Sequence, residues 1–143
     1  MKRITLFLLI VVGCSFPKDP EDSFNKTKEQ GLKVGVINNP PYSYYKEGKA
    51  YGKEVKLIER FTKKEGLKIN YISGSESTLV EKLKNYNINV VIGGFDNKTV
   101  WKEKAGLTTN YNNNENCFLI SKGENKLLFK LDSFLTQYRE DGN

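Results

Sequence analysis

Apolar and polar positions change their period several times along this chain. Residues 4–12 (ITLFLLIVV) are apolar without a break and follow Lys2 and Arg3. Leu32-Lys-Val-Gly-Val-Ile37 alternates with a period near two, which predicts a strand. Pro40 and Pro41 have no N–H to give a ladder, so Asn38–Tyr42 must break that strand. From Lys53 to Lys64, Val55, Ile58 and Phe61, with Leu57 beside them, fall on one helical face, and Gly66 stops the helix. Leu67–Ile72 predicts a second strand. Ser75 to Thr78 supply caps for a helix carrying Leu79, Val80, Leu83 and Tyr86. Val90–Ile92 predicts a third strand, ended by Gly93 and Gly94. Thr99–Lys104 reads as a short helical turn, Asn110–Asn116 as a loop and Cys117–Ile120 as a fourth strand. Asn125–Tyr138 predicts a last helix, with Leu127, Leu128, Leu131, Phe134, Leu135 and Tyr138 on one side. Such alternation argues for an α/β fold, a mainly parallel sheet flanked by helices. Ligands of such sheets sit beyond the carboxyl ends of the strands, often at helix N-termini. Asn38–Tyr45 and Gly93–Trp101 land there.

The chain has 143 residues, enough for one domain. Its nine-residue apolar start is far short of the ~20 residues that span a bilayer. With the basic residues before it, the segment has the layout of a secretory signal over residues 1–13. Val11-Val12-Gly13-Cys14 resembles a lipobox, which implies a diacylglyceryl group on Cys14. A plain signal peptide with an incidental cysteine is the other reading. Residues 14–30 then form a lipidated cysteine and polar tether, and residues 31–143 the folded unit. Two acyl chains would hold the protein stably at a membrane surface, in the cell envelope outside the cytoplasm.

Composition narrows the chemistry. There is no histidine, which removes the commonest general base and the commonest transition-metal ligand. Cys117, in Cys-Phe-Leu-Ile, reads as a small buried apolar side chain. No nucleophile elbow, phosphate loop or metal-ligand spacing occurs, and Glu54 and Glu59 read as an exposed helix face. Catalytic residues, cofactor and metal are therefore not expected. The net charge of +6 comes from scattered lysines with no aromatic-interleaved basic run, so nucleic acid is not an expected partner.

Several residues in order carry a family resemblance: Pro40-Pro41-Tyr42, Gly52, Gly66-Leu67 and Val91-Ile92-Gly93-Gly94. Together they resemble the bacterial extracellular solute-binding proteins of family 3, the periplasmic receptors of polar amino-acid ABC transporters. Gly106–Tyr111 looks like that family's aromatic-Ser/Thr-x-Pro-Tyr segment, with Asn110 where proline is usual. The resemblance implies a type II periplasmic-binding-protein-like lobe. A full receptor of the family has two lobes, whereas this chain has room for one, and the stretch from Cys117 to Gly142 resembles the closing strand and helix. The family's arginine that grips a ligand carboxylate falls, counted without gaps from Gly93, at Trp101; Lys98 is the nearest cation before it.

The candidate ligand-binding residues are Tyr42, Tyr44, Ser75, Gly93, Gly94, Phe95, Asp96, Lys98 and Trp101. A tyrosine offers a flat face and a hydroxyl, or packs across its loop. The glycines admit a ligand to the backbone, or simply make a tight strand exit. Asp96 suits an amino group and Lys98 a carboxylate or phosphate, unless both are solvated surface charges. Ser75 doubles as a helix cap. Trp101 is either a stacking platform or a plug over the core edge. The expected function is that of a lipid-anchored, one-lobe receptor for a small polar, amino-acid-like solute, serving uptake or sensing. An ABC permease or a second copy would supply the other wall of the cleft. The alternative is an envelope adaptor that keeps the fold and has lost the ligand. A receptor lobe leaves Tyr42, Gly94 and Trp101 around one recess.

Overall fold

The computed structural model describes residues 22–142. In chain order the elements are α1 (Ser23–Gln30), β1 (Leu32–Val36), β2 (Tyr44–Lys46), β3 (Lys49–Tyr51), α2 (Lys53–Glu65), β4 (Ile69–Ser73), α3 (Glu76–Lys84) and β5 (Val90–Asp96). A 3₁₀ turn (Val100–Glu103), β6 (Gly106–Leu107), β7 (Asn116–Ile120) and α4 (Asn125–Glu140) complete them. The main sheet has the order β4-β1-β5-β7-β6. β1 pairs parallel with β4 and β5, while β7 runs antiparallel to both β5 and β6. Four of the five strands therefore share a direction, the mainly parallel sheet that the alternation predicted.

Strand alternation divides the core in two. Leu32, Val34, Val90, Ile92, Phe118 and Ile120 point to one face, where Phe24, Ile58, Phe61, Leu127, Leu131 and Leu135 from α1, α2 and α4 meet them. Val91, Cys117 and Leu119 point to the other, under Leu79, Val80 and Leu83 of α3. α2 forms because its buried positions recur at helical spacing, and it ends at Gly66, where Leu67 N–H reaches back to the Thr62 carbonyl. Cys117 is fully buried as read, and burial pushes its thiol up to about 12. No described helix is long and apolar enough to cross a membrane.

Three expectations need correction, and one element was not anticipated. Residues 1–21, with the signal segment and Cys14, lie outside the described residues, but the tether does not extend to residue 30. Ser23–Gln30 is a helix whose Phe24 is 1% exposed, because one large aromatic and the small Ser23 and Thr27 suffice to seat a short helix on the core. Tyr86 is not on the α3 face: the helix ends at Lys84, and Tyr86 turns outward to donate its hydroxyl proton to the Lys122 carbonyl at 2.9 Å. The Tyr44–Tyr51 region folds into a separate β2–β3 hairpin. Glu54, read as exposed, is completely buried.

Candidate functional site

β1, β4 and β5 run together, so the segments that follow them share one rim of the sheet. Asn39–Tyr42 follows β1, Ser75–Glu76 follows β4, and Phe95–Trp101 closes β5. That is where ligands of parallel sheets sit.

The floor of this rim is built around Glu54. It stands in the first turn of α2 beneath the end of β5. Its Oε2 accepts the Gly93 N–H at 2.7 Å and the Gly94 N–H at 3.0 Å. Its Oε1 accepts the Tyr111 hydroxyl proton at 2.6 Å. Burial outweighs these three donors and raises the carboxyl from its usual range to about 7. The Tyr111 phenol is pushed well above its ordinary value, first by burial and then by the Glu54 charge. The carbonyls of the same glycines are held as well. Asn39 Nδ2 donates to Gly93 O at 2.8 Å, and Asn116 Nδ2 donates to Gly94 O at 3.4 Å and Phe95 O at 3.3 Å. Ser43 Oγ donates to Ile37 O at 2.8 Å, tying the β1 exit to the same floor. Gly94 has φ +74°, and a Cβ there would come within 2.6 Å of the Tyr42 ring, so both the backbone and its neighbour require glycine.

The outer edge of the rim is different. Ser75 caps α3, its Oγ accepting the Thr78 N–H at 3.3 Å. Glu76 Oε2 accepts the Trp101 indole N–H at 2.8 Å. The Lys104 ammonium lies 5.7 Å from the Trp101 ring centroid and 3.4 Å from Glu81. Asp96 Oδ1 accepts the Lys98 N–H at 2.8 Å, closing the turn after β5 and leaving both side chains exposed.

The predicted residues thus fall into groups. Tyr42, Gly93 and Gly94 come together over Glu54. Ser75 and Trp101 meet at the outer edge through Glu76, and Asp96 and Lys98 stand exposed between. Phe95 is 6% exposed and packs in the core, because alternation turns it inward. Tyr44 is placed elsewhere, stacked on Tyr51 across the hairpin with ring centroids 5.6 Å apart. Tyr42 and Trp101 belong to separate sets of contacts. Glu54, Tyr111, Asn39, Asn116 and Glu76 were missed. For Glu54 a signal existed: it lies on the apolar stripe four before Ile58 and seven before Phe61, where a carboxylate needs buried donors.

The lobe and its rim define a class. Residues 32–143 match the family model of bacterial extracellular solute-binding proteins, family 3, and the chain belongs to that family. Among curated relatives, it is 26% identical over 138 residues to a probable histidine-binding protein of Campylobacter jejuni, covering 92% of this chain and 54% of that one. It is 31% identical over 91 residues to membrane-bound lytic murein transglycosylase F of Vibrio cholerae, covering 62% of this chain and 17% of that one. The chain therefore spans about half, or much less, of the curated relatives it matches. Among solved structures, the arginine-bound form of domain 1 from TmArgBP superposes with a TM-score of 0.70 at 21% identity, covering 78% of this chain and 97% of that domain. A periplasmic His/Glu/Gln/Arg/opine family-binding protein from Silicibacter pomeroyi, in complex with lysine, gives 0.68 at 14%, covering 78% and 92%. These last two likenesses establish the fold.

Proposed function

We propose that this chain is a receptor lobe whose sheet rim forms one wall of a site for a small, polar, amino-acid-like solute. The observation that carries the reading is the fixed strand end at Gly93–Gly94. Every backbone polar group of that pair is held from below or beside, while the exposed Asp96, Lys98 and Glu76 and the half-buried Trp101, which packs against the α3-side core, stand along the same rim. A rigid floor with a polar lip suits solute capture, since little ordering remains to oppose binding. Asp96 and Glu76 suit an amino or guanidinium group. Lys98 is the cation for a carboxylate, as a point charge rather than a bidentate fork. Support for a one-lobe site comes from the arginine-bound single domain, nearly all of which this chain covers. One wall buries less ligand than a closed cleft, so tight binding would need an ABC permease or a second copy as the other wall.

In this reading Cys14 carries the lipid, and the chain works at the membrane surface of the cell envelope in uptake or sensing. Trp101 is the single tryptophan and sits on the rim. Titration with arginine, lysine, histidine, glutamine and small carboxylates should give a saturable change in its emission for at least one amino acid, matched by heat in calorimetry. A silent panel in both measurements overturns the reading.

A further inference from the structure

We infer that the α1–α4 surface is a docking face for an anionic lipid bilayer. The face is argued from side chains of α1 and α4, the lipid anchor proposed above bears only on how it is presented to the bilayer, and it lies away from the solute rim.

Charge is divided unequally between the two faces of the sheet. α1, α2 and α4, on one side, carry ten Lys and Arg against six Asp and Glu, and one of the six, Glu54, is buried. α3 and the 3₁₀ turn, on the other, carry three of each. Five of the ten cations lie on α2, and three of the others stand together where α1 meets α4. The ammonium groups of Lys28, Lys126 and Lys130 stand 5.6, 5.4 and 5.2 Å from the centroid of the buried Phe24 ring. Lys126 also donates to Asn25 Oδ1 at 3.0 Å, which joins the two helices. Lys130 pairs with Glu65 at 2.8 Å. On the outer ridge of α4, between Lys126 and Lys130, Phe129 is 72% exposed, although the residues beside it in the helix turn inward. An exposed aromatic ring flanked by lysines is the pattern of a surface that inserts shallowly among anionic headgroups.

Topology and tether point the same way. α1 runs into the start of β1, and β7 brings the chain back beside the start of β5, where Ile120 pairs with Val90. The end of α1 and the first turn of α4 therefore lie at the amino-terminal edge of the parallel strands, opposite the rim with Gly94 and Trp101. Eight residue steps separate Cys14 from Asp22, a reach of at most about 29 Å. A lipid on Cys14 holds α1 near the bilayer, and docking through Lys28, Lys126, Phe129 and Lys130 leaves the solute rim facing away from it.

The test compares the processed full chain on vesicles of phosphatidylcholine alone and on vesicles also containing phosphatidylglycerol, by hydrogen–deuterium exchange. Residues 23–30 and 125–133 should be protected on the anionic vesicles only, and raised salt should remove the protection. Combining Lys28→Gln, Lys126→Gln, Lys130→Gln and Phe129→Ser should abolish it while Trp101 emission is unchanged and circular dichroism shows the fold retained; Lys28→Gln with Phe129→Ser, which spares the Lys126–Asn25 and Lys130–Glu65 contacts, should already weaken it. Lys130 is already paired with Glu65, so Lys28 and Lys126 carry the larger share, roughly thirtyfold of surface attraction. Equal exchange on both vesicles overturns the docking face. Failure to float with neutral vesicles sinks the anchor instead, and anionic-only protection in that case still upholds the face.

Discussion

Two parts of one rim are built in opposite ways. The Glu54 floor is buried: a carboxyl group with no exposure accepts hydrogen bonds from two backbone amides and a phenol. The Trp101 edge is more open: Trp101 is half-buried against the α3-side core, but its hydrogen bond to Glu76 and its contact with Lys104 are made by exposed side chains. In the floor, each lost partner strands a polar group away from water, so geometry is enforced by large energies. At the edge, water replaces what is lost, so residues there can be tuned for a ligand at little cost to the fold. If the rim binds a solute as proposed, stability and recognition are separable within a few residues of chain.

The sharpest way to break the contrast is Glu54→Ala. It leaves the Gly93 and Gly94 N–H groups and the Tyr111 hydroxyl without their acceptor, and opens a cavity beneath the strand end. The expected loss is roughly 3–5 kcal/mol, read from urea unfolding at pH 6. A loss below about 1 kcal/mol would mean that water or a neighbour takes the place of the carboxylate, and the floor would not be a rigid element.

Next in size is a pH effect. The Glu54 carboxyl is raised to about 7 in the folded chain, so the native state holds a proton that the unfolded chain releases near 4.5. Its contribution to stability is present below that lower value and is lost as pH rises through about 7. Glu54→Gln keeps the shape: its amide oxygen accepts the two N–H groups and its NH₂ faces Tyr111. The variant should match the parent near pH 5 and exceed it by about 2–3 kcal/mol at pH 8. Asp132 is also raised by burial, against a bond from the Thr109 N–H, but it is present in both proteins and cancels in the difference. Parallel pH profiles for parent and variant would show that Glu54 is ionised throughout.

What the sequence disclosed follows the same division. Elements with a sustained period were legible: β1, α2, β5, β7 and α4 each repeat an apolar face over several residues, and the observed bounds lie within a few residues of those expected. α1 was not, because Ser23–Gln30 offers one buried aromatic, Phe24, and no stripe to count. The β2–β3 hairpin was not, since strands of three residues are too short to establish alternation, although Gly48 marks its turn. The rim could be located from strand ends alone, but its floor could not. Tyr111 meets Glu54 across 57 positions of sequence, and Asn116 reaches Gly94 across 22. Neither spacing has a period, so only the folded chain brings them together.

The smallest effect on folding belongs to Glu76→Ala, and it tests the other half of the contrast. The substitution removes the acceptor of the Trp101 indole N–H at an exposed position. Water can satisfy the freed N–H, so the stability change should stay within about 0.5 kcal/mol. The Trp101 emission should nonetheless shift, because the carboxylate beside the indole is gone. If the edge recognises the cationic end of a solute, affinity should fall while the melt stays put, since Glu76 would then be exchanging one donor, the indole, for another. A variant that loses stability as the Glu54 variant does would erase the distinction between floor and edge, and the rim would have to be treated as one cooperative unit.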